Sequence, residues 1–164
     1  MEKKLLLEGL DYEIFGAEGK SKDIVPKLKE ISQRIIVFDA DWVLGRVHIK
    51  FALFHAQRAF EKKIHKVNTF ENCVLLYVGL SSQIYEARRN AGVKPETRRF
   101  AIVSPRDIEK VRILNVLDLE EREEVIQFSE AKARRVFSQE ELEATPIVKW
   151  QYLVLERMAL LNLP

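Results

Sequence analysis

The chain is poor in the residues that build cross-links, linkers and membrane spans. Its single cysteine, Cys73, excludes an internal disulfide and a cysteine-rich zinc site. Only 6 Gly and 5 Pro occur in 164 residues, so short turns should connect the elements of one domain spanning residues 1–164. No window reaches the roughly 20 apolar residues of a membrane helix, and the first residues lack a signal-peptide core. We therefore expect a cytoplasmic protein with no membrane partner.

The overall charge is close to neutral. Lys and Arg number 27 against 25 Asp and Glu, which gives a formal net charge of +2. Any attraction to a polyanion must therefore come from local clusters of cations. Hydrophobic residues make up 47% of the chain, which is enough to build a core. A charged fraction of 32% with one Cys and 2 Met suits a thermophile source.

Apolar periodicity predicts alternating strands and helices. The predicted strands cover residues 5–15, 35–38, 74–78, 100–103 and 125–128. The predicted helices cover residues 23–33, 42–63, 81–92, 105–115 and 147–163, with Asp39 or Asp41 as a cap of the second and Ser81 or Ser82 as a cap of the third. This order predicts an α/β (α+β) fold, a mixed and mostly antiparallel sheet with helices packed on it.

Side chains that could carry catalysis are few. His48 and His55 lie seven residues apart on one predicted helix, too far apart for the i, i+4 spacing that chelates zinc. Asp39 and Asp41 precede a helix, where capping is the usual role of a carboxylate. A small enzyme using these four side chains would require them to converge in one pocket. We expect instead a protein that is not an enzyme and uses no metal or cofactor.

Two places favour the binding of an anion. The turn after the long helix is basic, and clustered cations of this kind neutralise phosphates. It carries Arg58, Lys62, Lys63, His65 and Lys66. The second place is the helix start at Ser81, Ser82 and Gln83, where free N–H groups attract phosphate. If the helix, the turn and the next strand are neighbours, both places form one groove suited to a single-stranded end.

The segment at residues 147–163 is apolar nearly all round. A helix of this composition is either packed deeply in its own domain or covered by another protein. The candidate partner-binding residues are Trp150, Val154, Met158 and Leu161.

The order of sequence motifs over residues 37–94 resembles that of a known family. The matching letters are Phe38 to Asp41, a helix with His48, Ala52, Ala56, Ala59 and Phe60, the pair Asn68 and Thr69, and Gln83 and Ile84 followed by Ala87 and Gly92. They resemble the smallest accessory subunit of the KEOPS complex, the PRPK-binding protein family. The resemblance implies a non-catalytic subunit that docks on the small atypical kinase of the complex and grips the 3′ CCA tail of tRNA. That assembly makes threonylcarbamoyladenosine on tRNA, with acyl transfer on a different subunit.

The resemblance adds Asn68 and Thr69 to the expected RNA-binding set, which is then Arg58, Lys62, Lys63, Lys66, Asn68, Thr69, Ser81, Ser82 and Gln83. The chain departs from the family in the loop before Gln83. Leu80 stands where the family has glycine, Ser82 replaces an arginine, and Cys73 replaces an acidic residue. The alternative prediction is therefore a kinase-docking, regulatory protein-interaction module without RNA binding.

Overall fold

A computed structural model describes residues 11–20 and 22–163. Its sheet has four strands in the order β2-β3-β1-β4, and every pairing is antiparallel. The strands are β1 Tyr12–Glu18, β2 Ile36–Asp39, β3 Arg99–Pro105 and β4 Glu120–Glu121.

Eight α-helices pack around this sheet in the described part of the chain. They are α1 Ile24–Ile31, α2 Arg46–Glu61, α3 Phe70–Val78, α4 Ile84–Ala91, α5 Lys110–Leu117, α6 Glu130–Val136, α7 Gln139–Glu143 and α8 Leu153–Leu160. Short 3-10 helices occupy Ala40–Trp42, Glu123–Ile126 and Ile147–Tyr152. This mixture confirms the predicted fold class. Among the described residues, no helix has the length and apolarity needed to cross a membrane.

Side chains alternate between the two faces of the sheet, and each face has its own core. In the register, Ile14 pairs with Val103 on one face and Phe15 pairs with Ile102 on the other. The first pair belongs to a large cluster with residues of α2, α3 and α4, and the second belongs to a smaller cluster with residues of α1 and α5. Because strand side chains alternate, one short sheet can bury apolar residues on both faces.

The predicted strand at residues 74–78 is wrong, since these residues form the end of helix α3. Thr69 begins this helix by accepting a hydrogen bond from the backbone N–H of Asn72 at 3.1 Å. All side chains from Cys73 to Val78 are buried. A short, continuous apolar run does not distinguish a buried strand from a buried helix by periodicity.

The long helix begins later than predicted. Asp39 caps the 3-10 helix at Ala40–Trp42 by accepting from the N–H of Asp41, at 2.9 Å. Gly45 then adopts a φ of 96°, a conformation that favours glycine, and α2 starts at Arg46.

Several other boundaries differ from the sequence prediction, including that of the C-terminal helix, which begins at Leu153 after a 3-10 helix. Ser104 and Pro105 belong to β3, and the next helix begins at Lys110. The predicted strand at 125–128 is wrong, because its first two residues, Val125 and Ile126, end a 3-10 helix. Both side chains are buried, and adjacent buried side chains suit a helical turn better than an alternating strand. The first strand covers Tyr12–Glu18, and most of the predicted range lies outside the described residues.

Candidate RNA-binding and partner-binding surfaces

Helices α2 and α3 form an antiparallel hairpin. At one end, Nε2 of His48 lies 3.0 Å from the carbonyl oxygen of Val78. Farther along, the Sγ of Cys73 donates to the carbonyl oxygen of Ala56 at 3.5 Å. The turn at residues 62–69 joins the other ends of the two helices. The basic turn and the loop at residues 79–83 therefore lie at opposite ends of the hairpin, separated by the length of α3, about 13 Å.

The structure does not bring the two predicted anion-binding places into one groove. Arg58, Lys62, Lys63 and Lys66 are exposed at the turn end of the hairpin. The loop that leads into α4 follows Val78, at the other end. The predicted groove required these places to be adjacent, so this part of the prediction is corrected.

Two of the predicted RNA-binding residues near this end of the hairpin, one in the turn and one in the last turn of α2, have structural contacts of their own. Thr69 is the N-cap of α3, and Arg58 lies over the ring of Phe54, 5.7 Å from its centroid. Asn68 is exposed beside the cap. In the pair Asn68 and Thr69, the Thr69 hydroxyl accepts the capping hydrogen bond, whereas no described hydrogen bond involves the Asn68 side chain.

The helix start at Ser81 is closed by internal hydrogen bonds. Ser81 is only 7% exposed, and its Oγ accepts from the N–H of Gln83 and donates to a carboxylate oxygen of Glu86, both at 3.0 Å. Glu86 also places a negative charge in the first turn of α4, where an anion would otherwise bind. Ser82 and Gln83 remain exposed. Gln83, rather than a serine, occupies the N-cap position of α4.

The departures before Ser81 have a backbone explanation. Leu80 has a φ of 55°, the left-handed conformation that glycine adopts without strain. A glycine, which the resemblance predicts here, would adopt this backbone conformation without strain. The Leu80 side chain is half-buried and packs against the core. At Gly79, an added Cβ would lie 2.6 Å from Ala87, so α3 and α4 approach too closely there for a side chain.

Three of the four predicted partner-binding residues lie inside the protein's own core. Trp150 is 4% exposed, and Val154 and Met158 are 0% exposed. The indole N–H of Trp150 donates to the carbonyl oxygens of Leu142 and Thr145. The apolar composition of this segment therefore reflects packing against its own domain, and the prediction of these three as contact residues is corrected. Leu161 is half-buried.

An exposed apolar surface instead lies where α2 and the C-terminal segment meet. It consists of Val47, Phe51 and Tyr152, which are 43%, 42% and 51% exposed, and we call it the apolar strip. Val47 and Tyr152 line the same cleft, while farther along the Nδ2 of Asn162 lies 3.0 Å from the Nδ1 of His55. The C-terminal segment therefore runs beside α2. Sequence reasoning missed this strip because apolar residues at helical spacing favour the buried side of a helix.

The four side chains considered for catalysis do not converge. His48 is fully buried, and burial lowers its pKa to about 4. His55 stacks on the ring of Tyr77 at 5.4 Å, and burial lowers its pKa. Asp39 and Asp41 line a separate cleft that contains neither histidine. Burial also raises the pKa of Cys73 to about 11, so its thiol stays protonated. In the described part of the chain, no group of three His, Cys, Asp or Glu side chains is placed to hold a metal ion.

A cationic cleft lies between the end of α4, the start of β3 and α6. It encloses about 470 Å³ and is lined by five cations, three carboxylates and three other side chains. The cations are Arg89, Lys94, Arg98, Arg99 and Arg135, the carboxylates are Asp39, Asp41 and Glu96, and the other side chains are Trp42, Asn90 and Thr97. Sequence reasoning missed this cleft, although residues 88–99 carry four arginines and one lysine against a single glutamate.

Ion pairs and a half-buried lysine support one wall of the cleft. Asp41 pairs with Arg99 at 2.8 Å and with Arg135 at 3.6 Å. Beside them, the ammonium of Lys132 donates to the carbonyl oxygens of Val43, Val125 and Gln127. Burial lowers the pKa of Lys132 to about 8. These bonds hold α6 against the segment that follows β2.

Comparison with known proteins does not assign this chain to a family. No protein-family model matches this chain, and no curated protein matches it.

Proposed function

We propose that the chain is a non-catalytic accessory subunit of a KEOPS-type assembly that makes threonylcarbamoyladenosine on tRNA. In this role it docks on the small atypical kinase and binds the 3′ CCA end of tRNA in the cytoplasm. The proposal is supported by the order of parts over residues 37–94 and by the predicted fold class, which the structure has. Catalysis of acyl transfer belongs to another subunit in this proposal.

The observation that carries the docking role is the apolar strip. Val47 and Phe51 stand one turn apart on α2 and present apolar side chains to solvent beside Tyr152. Apolar patches at the centre of an interface supply most of the binding energy when a partner excludes water from them. The strip replaces Trp150, Val154 and Met158 as the proposed kinase-contacting surface.

Co-purification with the kinase tests this role. The double variant Val47→Ser, Phe51→Ser removes two exposed apolar side chains, and we expect it to weaken kinase binding by about tenfold or more. The matched control is Val111→Ser, Val116→Ser on α5, at side chains 62% and 44% exposed on the opposite face of the sheet. If both double variants bind the kinase as the unmodified protein does, the apolar strip is not the docking surface.

The RNA-binding role is supported by the cationic cleft. The chain's net charge of +2 gives little general attraction to RNA, so a local excess of cations is required. The cleft has such an excess, with five cations against three carboxylates. Clustered Lys and Arg side chains bind phosphates by releasing their counterions.

A second candidate is a kinase-docking, regulatory module that does not bind RNA. Two features of the loop before α4 favour it. The Ser81 hydroxyl is hydrogen-bonded to Glu86, and the basic turn lies at the opposite end of the helical hairpin from this loop. Under this candidate the apolar-strip variants lose the kinase, and the unmodified protein does not retain tRNA. Measuring both interactions on the same preparation separates the two candidates.

A further inference from the structure

We infer that the cationic cleft, and not the basic turn, holds the backbone phosphates of the single-stranded RNA end, with Tyr85 as a stacking surface at its mouth. The inference rests on the RNA-binding part of the proposed function and names its site. It reassigns that site from Lys62 and Lys63 to Arg89, Lys94 and Arg98.

The first argument is the charge left over inside the cleft. Asp41 is paired with Arg99 and Arg135. Both carboxylate oxygens of Asp39 also accept hydrogen bonds, one from the N–H of Asp41 and the other from the hydroxyl of Thr97 at 3.3 Å. These two carboxylates are therefore occupied by groups of the protein itself.

Among the described residues, three cations of the cleft have no carboxylate partner. Within residues 11–20 and 22–163, no carboxylate lies within ion-pair distance of Arg89, Lys94 or Arg98. Lys94 and Arg98 donate only to carbonyl oxygens of their own loop, from Nζ to Gly92 and from a guanidinium nitrogen to Pro95 and Thr97. These bonds order the two side chains without pairing them with a carboxylate, and the cleft keeps five cations against the carboxylates of Asp39, Asp41 and Glu96. An ordered cluster of unpaired cations suits a phosphate, which accepts several charge-assisted hydrogen bonds.

The second argument is the aromatic side chain beside the cleft. Tyr85 is 77% exposed on α4, and Arg89, four residues later, lines the cleft. Residues four apart lie on the same face of a helix, so the Tyr85 ring stands one turn from the cleft. Aromatic rings beside a cationic groove bind single strands because unstacked bases stack on them. Paired bases are not available for such stacking, so the arrangement favours a single strand over a duplex.

The basic turn is a second cationic cluster, which lies outside the cleft. Lys62, Lys63 and Lys66 are exposed, and none of them lines the cationic cleft. Two aromatic residues that flank the turn, Phe60 and Phe70, contact each other with their ring centroids 6.1 Å apart. The turn therefore serves as the matched comparison for the cleft.

Fluorescence anisotropy with the chain of residues 1–164 tests the inference. The probe is a labelled single-stranded RNA ending in CCA, titrated at several salt concentrations. The cleft variant is Arg89→Gln, Arg98→Gln, and the control with the same charge change is Lys62→Gln, Lys63→Gln. We expect the cleft variant to lose about tenfold or more in affinity and to reduce the slope of log K against log salt by about 1.4, with no comparable change in the control. Thermal unfolding verifies that both variants are folded.

A second pair of variants tests the aromatic contact. We expect Tyr85→Ala to weaken binding by about fivefold or more and Tyr85→Phe, which keeps the ring, to bind as the unmodified protein does. We also expect an RNA duplex of the same sequence to bind more weakly than the single strand. Equal affinity of Tyr85→Ala and the unmodified protein, or of duplex and single strand, overturns the stacking role.

The outcomes separate this inference from the proposed function. If the unmodified protein binds the probe and only the Lys62→Gln, Lys63→Gln variant loses affinity, the cleft assignment is wrong and the RNA-binding function stands. If the unmodified protein does not bind the probe, the RNA-binding function itself is overturned, and the cleft assignment falls with it.

Discussion

The imidazole of His48 donates a hydrogen bond from Nε2 to the carbonyl oxygen of Val78, at 3.0 Å, and so joins the start of α2 to the end of α3. On the other side of the ring, Nδ1 lies 3.1 Å from the backbone nitrogen of Leu44 and accepts its N–H. Because a carbonyl accepts and an N–H donates, only the neutral ring with its proton on Nε2 satisfies both bonds. Trp42 donates to the same carbonyl oxygen at 3.1 Å.

We expect the protein to lose stability in acid through His48. Burial lowers the pKa of His48 to about 4, whereas the unfolded chain has the ordinary value of 6.5. The unfolded state therefore binds more protons between these values, and the free energy of unfolding should fall by about 3 kcal/mol as the pH drops from 6.5 to 4. Above pH 6.5 this contribution is fully present. Chemical denaturation across this range measures it.

The matched control for this pH dependence is His48→Gln, which replaces the imidazole with an amide that does not titrate. Burial also lowers the pKa values of His55 and His65, so they contribute in the same direction. The difference between the stability curves of the unmodified protein and His48→Gln gives the contribution of His48 alone. Parallel curves between pH 6.5 and 4 would contradict the prediction.

We expect Thr69 to act through folding rather than through RNA. Its Oγ accepts the N–H of Asn72 at the start of α3, so Thr69→Ala should reduce the free energy of unfolding by about 1 kcal/mol. Thr69→Ser keeps the hydroxyl and should stay close to the unmodified protein. Urea denaturation gives both values. A loss of RNA affinity by a fully stable Thr69→Ala variant would restore the contact role predicted from sequence.

We expect the two apolar faces of α8 to differ in their effect on stability. Met158 is 0% exposed, so Met158→Ala should cost about 2–5 kcal/mol by leaving a cavity. Leu160 is 59% exposed, so Leu160→Ala should change stability by less than about 0.5 kcal/mol. Thermal and urea unfolding compare the two. Equal effects would mean that α8 does not pack as described.

We expect Lys132 to be a structural residue of the wall beside the cationic cleft. Its three donated hydrogen bonds have lengths of 2.8, 2.6 and 2.9 Å. Lys132→Met removes these donors from three carbonyl oxygens and should cost about 2–4 kcal/mol of stability. Lys149→Met, at an exposed lysine, is the control. If Lys132→Met unfolds at the same urea concentration as that control, the three bonds do not stabilise the fold.

The fold class followed from sequence because two of the strands and most helices have clear signals, whereas nothing in the sequence indicated the short strand Glu120–Glu121. Residues 35–38 and 100–103 are short apolar runs next to turn-forming or capping residues, and all but Ile35 lie in the sheet. The run at 74–78 has the same appearance but continues the helix that Thr69 caps. Its side chains are buried on every side because of tertiary packing, and a local sequence pattern does not indicate such packing.

The candidate site was harder to predict because it depends on how helices are paired. The anion-binding groove was inferred from neighbours along the chain, and an antiparallel hairpin places the turn and the loop at opposite ends. The cationic cleft brings Arg89, Arg99 and Arg135 together from three separate elements. Only the arginine density near residues 88–99 was visible in the sequence.

The most direct measurement compares intact tRNA with tRNA lacking its last three nucleotides, using a gel shift of the chain bound to the kinase. Each unpaired base held by stacking and phosphate contacts contributes about 1–3 kcal/mol, so intact tRNA should bind at least about tenfold more tightly. Equal affinity for both would contradict the claim that this protein holds the 3′ end, and would leave kinase docking as its role.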